Sequence, residues 1–444
     1  MMNRTTSTAA IYPRSPRQER PCRIEIFLTP PTADLRSRPK TKKAIDHRRG
    51  ICQGRGLGVW GAGEGRTMAI QIRSVQSKAE RKRFVMVPWR IYRDDPKWVP
   101  PLIQDRMETL DPAKNPFFEH GEAQLFIAER DGEPVGRITA HTNRLHNEYH
   151  KDKAGFFGFF ESIDDESVAR ALLEAAEDWL KKKGCDQALG PESFSTNEEV
   201  GVVVEDRAGP PMILCAYNPP YYPRLLEACG YQKAKDLYGW HYTIGDVPEA
   251  PRQVADAVAQ HPGLKLRPVD MKNVLRDVRI VRDIFNAAWS RNWGYVPWTE
   301  KEVEHSAEML KLILIPEWTT IAEVDGQPAG MMISFPNINE VIKDLNGRLF
   351  PTGLLKLLWR VKMGRYRFQS GRLALLGVKP EFRGSTLGGL SVLLYVCAHR
   401  ATLKYGLKVG ELGWTLEDNQ KINAGIQFMG GSIGKVYRIY GKSL

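Results

Sequence analysis

The stretch FIAERDGEPVG at residues 126–136 returns as TIAEVDGQPAG at residues 320–330, sharing the pattern I-A-E-x-D-G-x-P-x-G at an offset of 194 positions. In each copy a short apolar run meets an Asp-Gly pair, and a second apolar run follows, at 135–140 and 329–335. An Asp-Gly pair between two such runs predicts a β-hairpin, because the tight turn needs φ > 0 and glycine adopts it without strain. One hairpin decides little. Two of them, about a domain length apart, predict a duplicated α/β unit.

Outward from the first copy, residues 70–75 predict a strand and 78–92 a helix, with a break at Trp98-Val99-Pro100-Pro101. Residues 155–161 (GFFGFFE) predict an apolar strand, and 165–184 a helix with apolar residues at helical spacing, Asp164-Asp165 at its start and Gly184 at its end. A strand at 187–190, a short helix at 222–229 stopped by Gly230, and a strand at 237–244 complete the first series. The second series runs through a strand (264–268), two helices (274–288, 300–314), the hairpin (318–335) and an apolar strand (372–378). It ends with a helix (388–405), a strand (408–414), a helix (419–429) and a strand (436–440). Residues 246–262, rich in Pro and Ala, read as the linker. This order predicts an α/β (α+β) chain of two tandem domains, 68–245 and 246–444, each a mixed, mainly antiparallel sheet flanked by helices.

Residues 1–67 have no sustained hydrophobic period and carry 14 Lys/Arg against 5 Asp/Glu, so most of the formal charge of +12 belongs to them. They read as a disordered basic tail. A tether to an anionic partner and a transit peptide are two readings of it, the second opposed by Glu19, Glu25, Asp34 and Asp46. A start of translation at Met68, directly before the first strand, is the third. The remaining residues hold 50 basic and 47 acidic side chains, so nucleic-acid binding is not expected of the body. The six cysteines form no C-x-x-C pair and show no metal-ligand spacing with histidine, so no metal site is expected. No secretory signal and no apolar run of 18 residues is present, which makes the cytoplasm the expected location.

Residues 373–389, LALLGVKPEFRGSTLGG, place an apolar strand directly before a glycine-containing turn and a helix. Backbone N–H groups and the positive end of the helix dipole then face one point, which suits a pyrophosphate, and Arg383 adds charge. The segment resembles the acyl-CoA-binding motif of the GNAT superfamily of N-acetyltransferases, V-x-P-x-x-R-G-x-G-[IL]-G, through Val378, Pro380, Arg383, Gly384, Leu387 and Gly388. ELGWTLEDN (411–419) and the closing GGSIGKVYRIYGK resemble that family's later strands. The resemblance covers the chain from Ile70 onward as two GNAT-like domains, with the motif in the second and the first degenerate.

The resemblance implies acyl transfer from acetyl-CoA or another acyl-CoA to a small-molecule or peptide amine. It assigns acyl-CoA contacts to Leu376, Val378, Arg383, Gly384, Ser385, Thr386, Gly388, Gly389 and Asn419. The loop holding Trp289, Trp293, Tyr295 and Trp298 lines the acceptor pocket in that family; plain packing is the competing reading. Two positions depart from the pattern. Thr386 replaces the middle glycine, and Ile426 or Gln427 stands where the family carries the tyrosine that protonates the leaving thiolate. Glu411 is then the expected base and Tyr437 the substitute acid. After the first half's apolar strand, Glu161, Asp164, Asp165 and Glu166 oppose an anionic ligand by repulsion. The Tyr221-Tyr222…Gly230-Tyr231 set nearby is read as packing or as part of a composite site.

An apolar, basic insertion at 349–367 is read as a buried or subunit-contact helix, which keeps a homodimer among the expectations; a membrane-surface helix is the other reading. The scattered histidines read as surface or core residues. A catalytically silent tandem module that binds a nucleotide or a protein is the alternative function. If the tail adds nothing to the core, a chain beginning at Met68 melts with the full-length protein, and a Tm lower by more than about 4 °C shows that the tail packs on the body.

Overall fold

The computed structural model describes residues 69–361, 366–384 and 387–444. The expectations for the tail, for Ser385 and Thr386, and for the basic residues Lys362 and Arg365 lie outside the described residues. In the first half the elements are β1 (Gln71–Ser74), α1 (Lys78–Met86), α2 (Pro88–Ile91), α3 (Ile103–Thr109), β2 (Gly121–Arg130), β3 (Glu133–Asn143) and α4 (Arg144–His150). There follow β4 (Ala154–Ser162), α5 (Glu166–Lys182), β5 (Gln187–Gly190), β6 (Val202–Asp206), α6 (Tyr222–Ala228) and β7 (Gln232–Thr243). The second half begins with α7 (Glu249–Ala259), β8 (Leu264–Arg267), α8 (Val274–Trp289), α9 (Glu300–Ile313), β9 (Thr319–Val324) and β10 (Gln327–Pro336). It continues through α10 (Asn339–Ile342), α11 (Gly353–Val361), β11 (Ser370–Val378), α12 (Leu390–Lys404), β12 (Val409–Leu416), α13 (Gln420–Phe428) and β13 (Ser432–Ser443).

Both repeated segments are two-residue hairpins. Asp131 and Gly132 have φ of 55° and 78°, Asp325 and Gly326 φ of 49° and 78°. Positive φ at both central residues is the turn whose twist matches antiparallel strands, which explains the Asp-Gly pair at each site. The hairpins sit at matching places, each second and third in a run of five strands: β1-β2-β3-β4-β5 and β8-β9-β10-β11-β12.

The two runs are joined into one 13-stranded sheet by an exchange of closing strands. The order at the centre is β5-β13-β7-β12, with β6 also paired to β13. The last strand of the second half therefore lies against the first half's β5, and the last strand of the first half lies against β12. The two closing strands pair with each other from Ser432↔His241 to Gly441↔Gln232. Side chains follow the backbone. Tyr440 of β13 is fully buried among α5 and α6 residues, its hydroxyl donating to Glu227 Oε1 at 2.9 Å. Trp240 and Tyr242 of β7 are buried in the core beneath α12, donating to Thr415 Oγ1 (2.8 Å) and meeting His399 Nδ1 (2.6 Å).

Three expectations are corrected. The linker at 246–262 contains α7, whose buried Pro251, Ala255 and Val258 face the second core. The helix expected over 78–92 is split into α1 and α2 at Pro88, which has no N–H to continue the ladder. In the insertion, α11 buries only one side. Leu357 and Val361 pack on the core while Leu355 and Trp359 are exposed, because successive apolar residues on a surface helix cannot all face inward. Trp240→Ala, a change in the first half, is expected to lower the stability of the whole chain by about 3–5 kcal/mol in one cooperative transition. Calorimetry showing two transitions, with one unmoved, would separate the halves.

Candidate active site

β11 and β12 are parallel neighbours only from Ser370↔Val409 to Leu373↔Leu412. Beyond that point β11 stays with β10 as far as Val378, and β12 turns at Gly413 (φ 39°) to stay with β7. A gap opens between them whose walls are Ala374–Val378 on one side and Gly413–Leu416 on the other. The facing peptide groups of β11 have no strand partner there, so an extended amide-bearing arm can pair with them. The gap is part of a cavity of about 1290 Å³ lined from both halves of the chain.

Past the end of β11 the chain leads to α12, whose N-cap is Gly389 with no side-chain hydrogen bond to the first turn. An uncapped helix start of this length offers free N–H donors to an anion. Arg383 is anchored by backbone carbonyls, Nε donating to Val378 O (2.8 Å) and Nη2 to Ala288 O (3.3 Å), and its guanidinium lines the cavity. These residues fit the pyrophosphate of a CoA thioester. The first half presents the opposite picture. The chain beyond β5 crosses into the corresponding gap, Glu192 N donating to Phe157 O at 2.9 Å. The start of α5 is capped by Asp165, whose carboxyl is pushed down to about 2 by the Ser167 hydrogen bond and by Arg130. Asp164 and Glu166 are both paired with Arg224, and the half-buried Glu161 meets Arg137 and the hydroxyls of Tyr92 and Tyr222.

Of the residues singled out in the sequence, Leu376, Val378, Arg383, Gly388, Asn419, Trp289, Trp293, Tyr295 and Trp298 line the cavity. Gly384 is exposed with open space around it. Gly389 is not among the residues lining the cavity, and a Cβ placed there would meet Val254 of α7 at 2.6 Å. Trp289 covers Gly377, where any Cβ would strike the indole. Phe285 stacks on both Trp289 and Trp298 at 4.9 and 5.2 Å, and Tyr295 donates to Asn286 Oδ1 at 2.9 Å. The aromatic loop is thus packed on itself and also faces the cavity.

Glu411 and Tyr437 come together, 3.4 Å apart, but behind the cavity wall. Glu411 Oε1 also accepts from Cys215 Sγ at 2.8 Å, and Lys435 Nζ lies 3.9 Å from Oε2. Burial pushes the Cys215 thiol and the Tyr437 phenol well above their ordinary ranges. Cys215 and Arg372 form the wall in front of them. Among the acidic residues lining the cavity is Glu198, on the loop after β5, which carries no local sequence signal. That loop touches the aromatic loop through Thr196 Oγ1, which donates to Gly294 O at 3.2 Å. Its neighbour Glu199 takes Arg106, and burial pushes the Glu198 carboxyl up to about 7. Ile426, at the place of the missing tyrosine, is buried. Among the described residues no group of three or more His, Cys, Asp and Glu is arranged to hold a metal ion.

A family model described as the acetyltransferase (GNAT) family matches residues 89–199, which fall in the first half. The chain is 13% identical to a tandem GNAT protein from the clavulanic acid biosynthesis pathway, with a TM-score of 0.52 over 84% of this chain and 98% of that one. A glucosamine N-acetyltransferase region of a fungal multi-domain β-N-acetylglucosaminidase gives the same score at 12% identity, covering 84% of this chain and 38% of the other. Residues 89–199 thus match the GNAT acetyltransferase family, and the chain shares the fold of the tandem GNAT protein. The chain is 38% identical to the bacterial ceramide synthase of Caulobacter vibrioides, over 84% of this chain and 98% of the relative. It is 36% identical to protein YghO of Escherichia coli, over 84% and 95%. It is a member of the family that holds these two.

If the anion site is where Arg383 and α12 place it, Arg383→Glu abolishes acyl-CoA binding in a titration, while charge reversal at Asp164 leaves it intact. The loss expected is a few kcal/mol, from a removed charge-assisted contact and an added repulsion. Equal losses at the two positions would move the pyrophosphate elsewhere.

Proposed function

We propose that this protein transfers an acyl group from acyl-CoA to an amine, with the reacting centre in the second half, in the gap between β11 and β12. The observation that carries the reading is the continuity of three features: an open strand edge, an uncapped helix start with Arg383 beside it, and a cavity reaching the aromatic loop. Acyl-CoA supplies the activated carbonyl; the amine nitrogen bonds to its carbon, the C–S bond breaks, and CoA leaves as the thiolate. Glu198 is the residue we assign to take the ammonium proton, because it lines the cavity while Glu411 is enclosed behind Cys215. An ordinary thiol ionises near about 8.5, so the thiolate can leave without a dedicated acid at modest cost. Positioning of the amine against the thioester supplies most of the acceleration.

The name of the Caulobacter relative directs the choice of substrate: a ceramide is the amide of a fatty acid and a long-chain amino alcohol. The cavity supports substrates of that size, since 1290 Å³ exceeds the roughly 300–1,000 Å³ usual for a small-molecule site. Its apolar residues, among them Leu376, Ile333, Phe335 and Tyr395, suit an aliphatic chain. Release of CoA is to be followed with acyl-CoAs of increasing chain length against a long-chain amino alcohol and a short amine. Long chains on both partners are expected to be preferred. No release with any pair, together with a raised Tm on acyl-CoA addition, would assign the protein to the silent binding modules.

Glu198→Gln is expected to lower kcat at least about tenfold at unchanged acyl-CoA affinity and to remove the rise in rate centred near pH 7. A second reading of the same variant needs no turnover. The folded state holds the Glu198 proton between the ordinary value of 4.5 and about 7, where the unfolded chain has released it, so wild-type stability falls across that interval. The variant's stability is expected to fall less steeply there, because Asp105 and Glu161, whose carboxyls burial also pushes up, remain.

A further inference from the structure

Of the nine large apolar side chains that stand exposed among the described residues, Phe350, Leu355, Leu358 and Trp359 lie within ten positions of one another, on or just before α11. They are 67, 68, 44 and 53% exposed. Apolar side chains gathered this densely on a surface mark a docking site more often than isolated ones do. The helix beneath them is fixed. Leu357 and Val361 pack on the second half's core, and Arg360 ties α11 to α10 by donating to Val341 O at 2.6 Å and by pairing with Asp344. The patch is therefore a held surface that water alone does not explain.

Charge selects the occupant. Between Lys343 and Val361 the chain has four basic residues and a single acidic one, Asp344, which is already paired with Arg360. Arg348 and Lys356 are exposed beside the apolar side chains. A second copy meeting this face about a two-fold axis would bring the same basic patch, Arg348 and Lys356 included, against itself, which repels. An anionic bilayer takes both features at once, since Trp, Phe and Leu enter the headgroup boundary while Lys and Arg meet the phosphates. No described helix is long and apolar enough to cross a membrane.

We propose that Phe350 and the exposed side of α11, carrying Leu355, Leu358 and Trp359, form a membrane-docking platform for an anionic phospholipid surface. Ile338 and Ile342 at α10, which packs on α11, line the central cavity, so the platform stands beside the cavity wall. This assignment does not depend on the acyl-transfer reading.

Flotation of the full chain with phosphatidylglycerol-rich vesicles and with phosphatidylcholine vesicles tests it, using the surface variants Trp359→Glu and Lys356→Glu, with Tm confirming that each is folded. Expected are partitioning onto the anionic vesicles that weakens as salt rises, and a loss of about tenfold or more in both variants. Wild-type protein left unbound by anionic vesicles overturns the proposal. So does binding that survives both substitutions, which would belong to the basic residues ahead of Met68. A dimer in light scattering that Trp359→Glu dissociates, with no vesicle binding, would make a second copy the occupant and overturn it equally.

Discussion

At the middle of the sheet β7 and β13 run antiparallel, and each belongs by sequence to the half on its far side. Every backbone group of a strand in that position needs a partner, and an unpaired buried peptide group costs about as much as a lost hydrogen bond. In this arrangement the fifth strand of each half finds its partner in the other. β5 takes β13 and β12 takes β7, so the two repeats complete each other. The aromatic residues that fill each core travel with the exchanged strands: Tyr440 into the first, Trp240 and Tyr242 into the second. This exchange also brings residues from both halves to one cavity.

The same arrangement explains why two related halves differ so much in chemistry. Both have a fourth and fifth strand that pair briefly and then part. In the first, the chain at Glu192 enters the gap, and Asp165 caps the helix beyond it. In the second the gap is open, and among the described residues the N-cap, Gly389, gives the helix start no side-chain hydrogen bond. The first half instead lends the loop that carries Glu198 to the cavity the second half opens. The match of the family model to residues 89–199 therefore marks ancestry of fold, while the open cleft stands in the other copy.

The buried group around Glu411 has a structural role in the same frame. Its carboxylate accepts from Cys215 and Tyr437 and lies near Lys435, drawing together the 210–217 loop, β12 and β13. A buried charge left without these partners would cost several kcal/mol, so the cluster is complete or costly. Cys215 and Arg372, which screen it from the cavity, complete the wall.

How much was legible in the sequence depended on range. The Asp-Gly turns, the capped start of α5, and the apolar strand running into Arg383-Gly384 are local patterns set by φ preferences and by period, and they were read without coordinates. The repeat offset of 194 disclosed the duplication. The exchange of β7 and β13 left no local mark, because a strand's pattern of buried faces is the same whichever neighbour bonds to its edges. That Gly389 packs against Val254 of α7, a contact across well over a hundred residues, is likewise invisible in the local sequence. Glu198 looked like one of many loop glutamates. Only the fold that encloses it between two halves raises its affinity for a proton and sets it in the cavity lining, since desolvation is a property of surroundings assembled from distant parts of the chain.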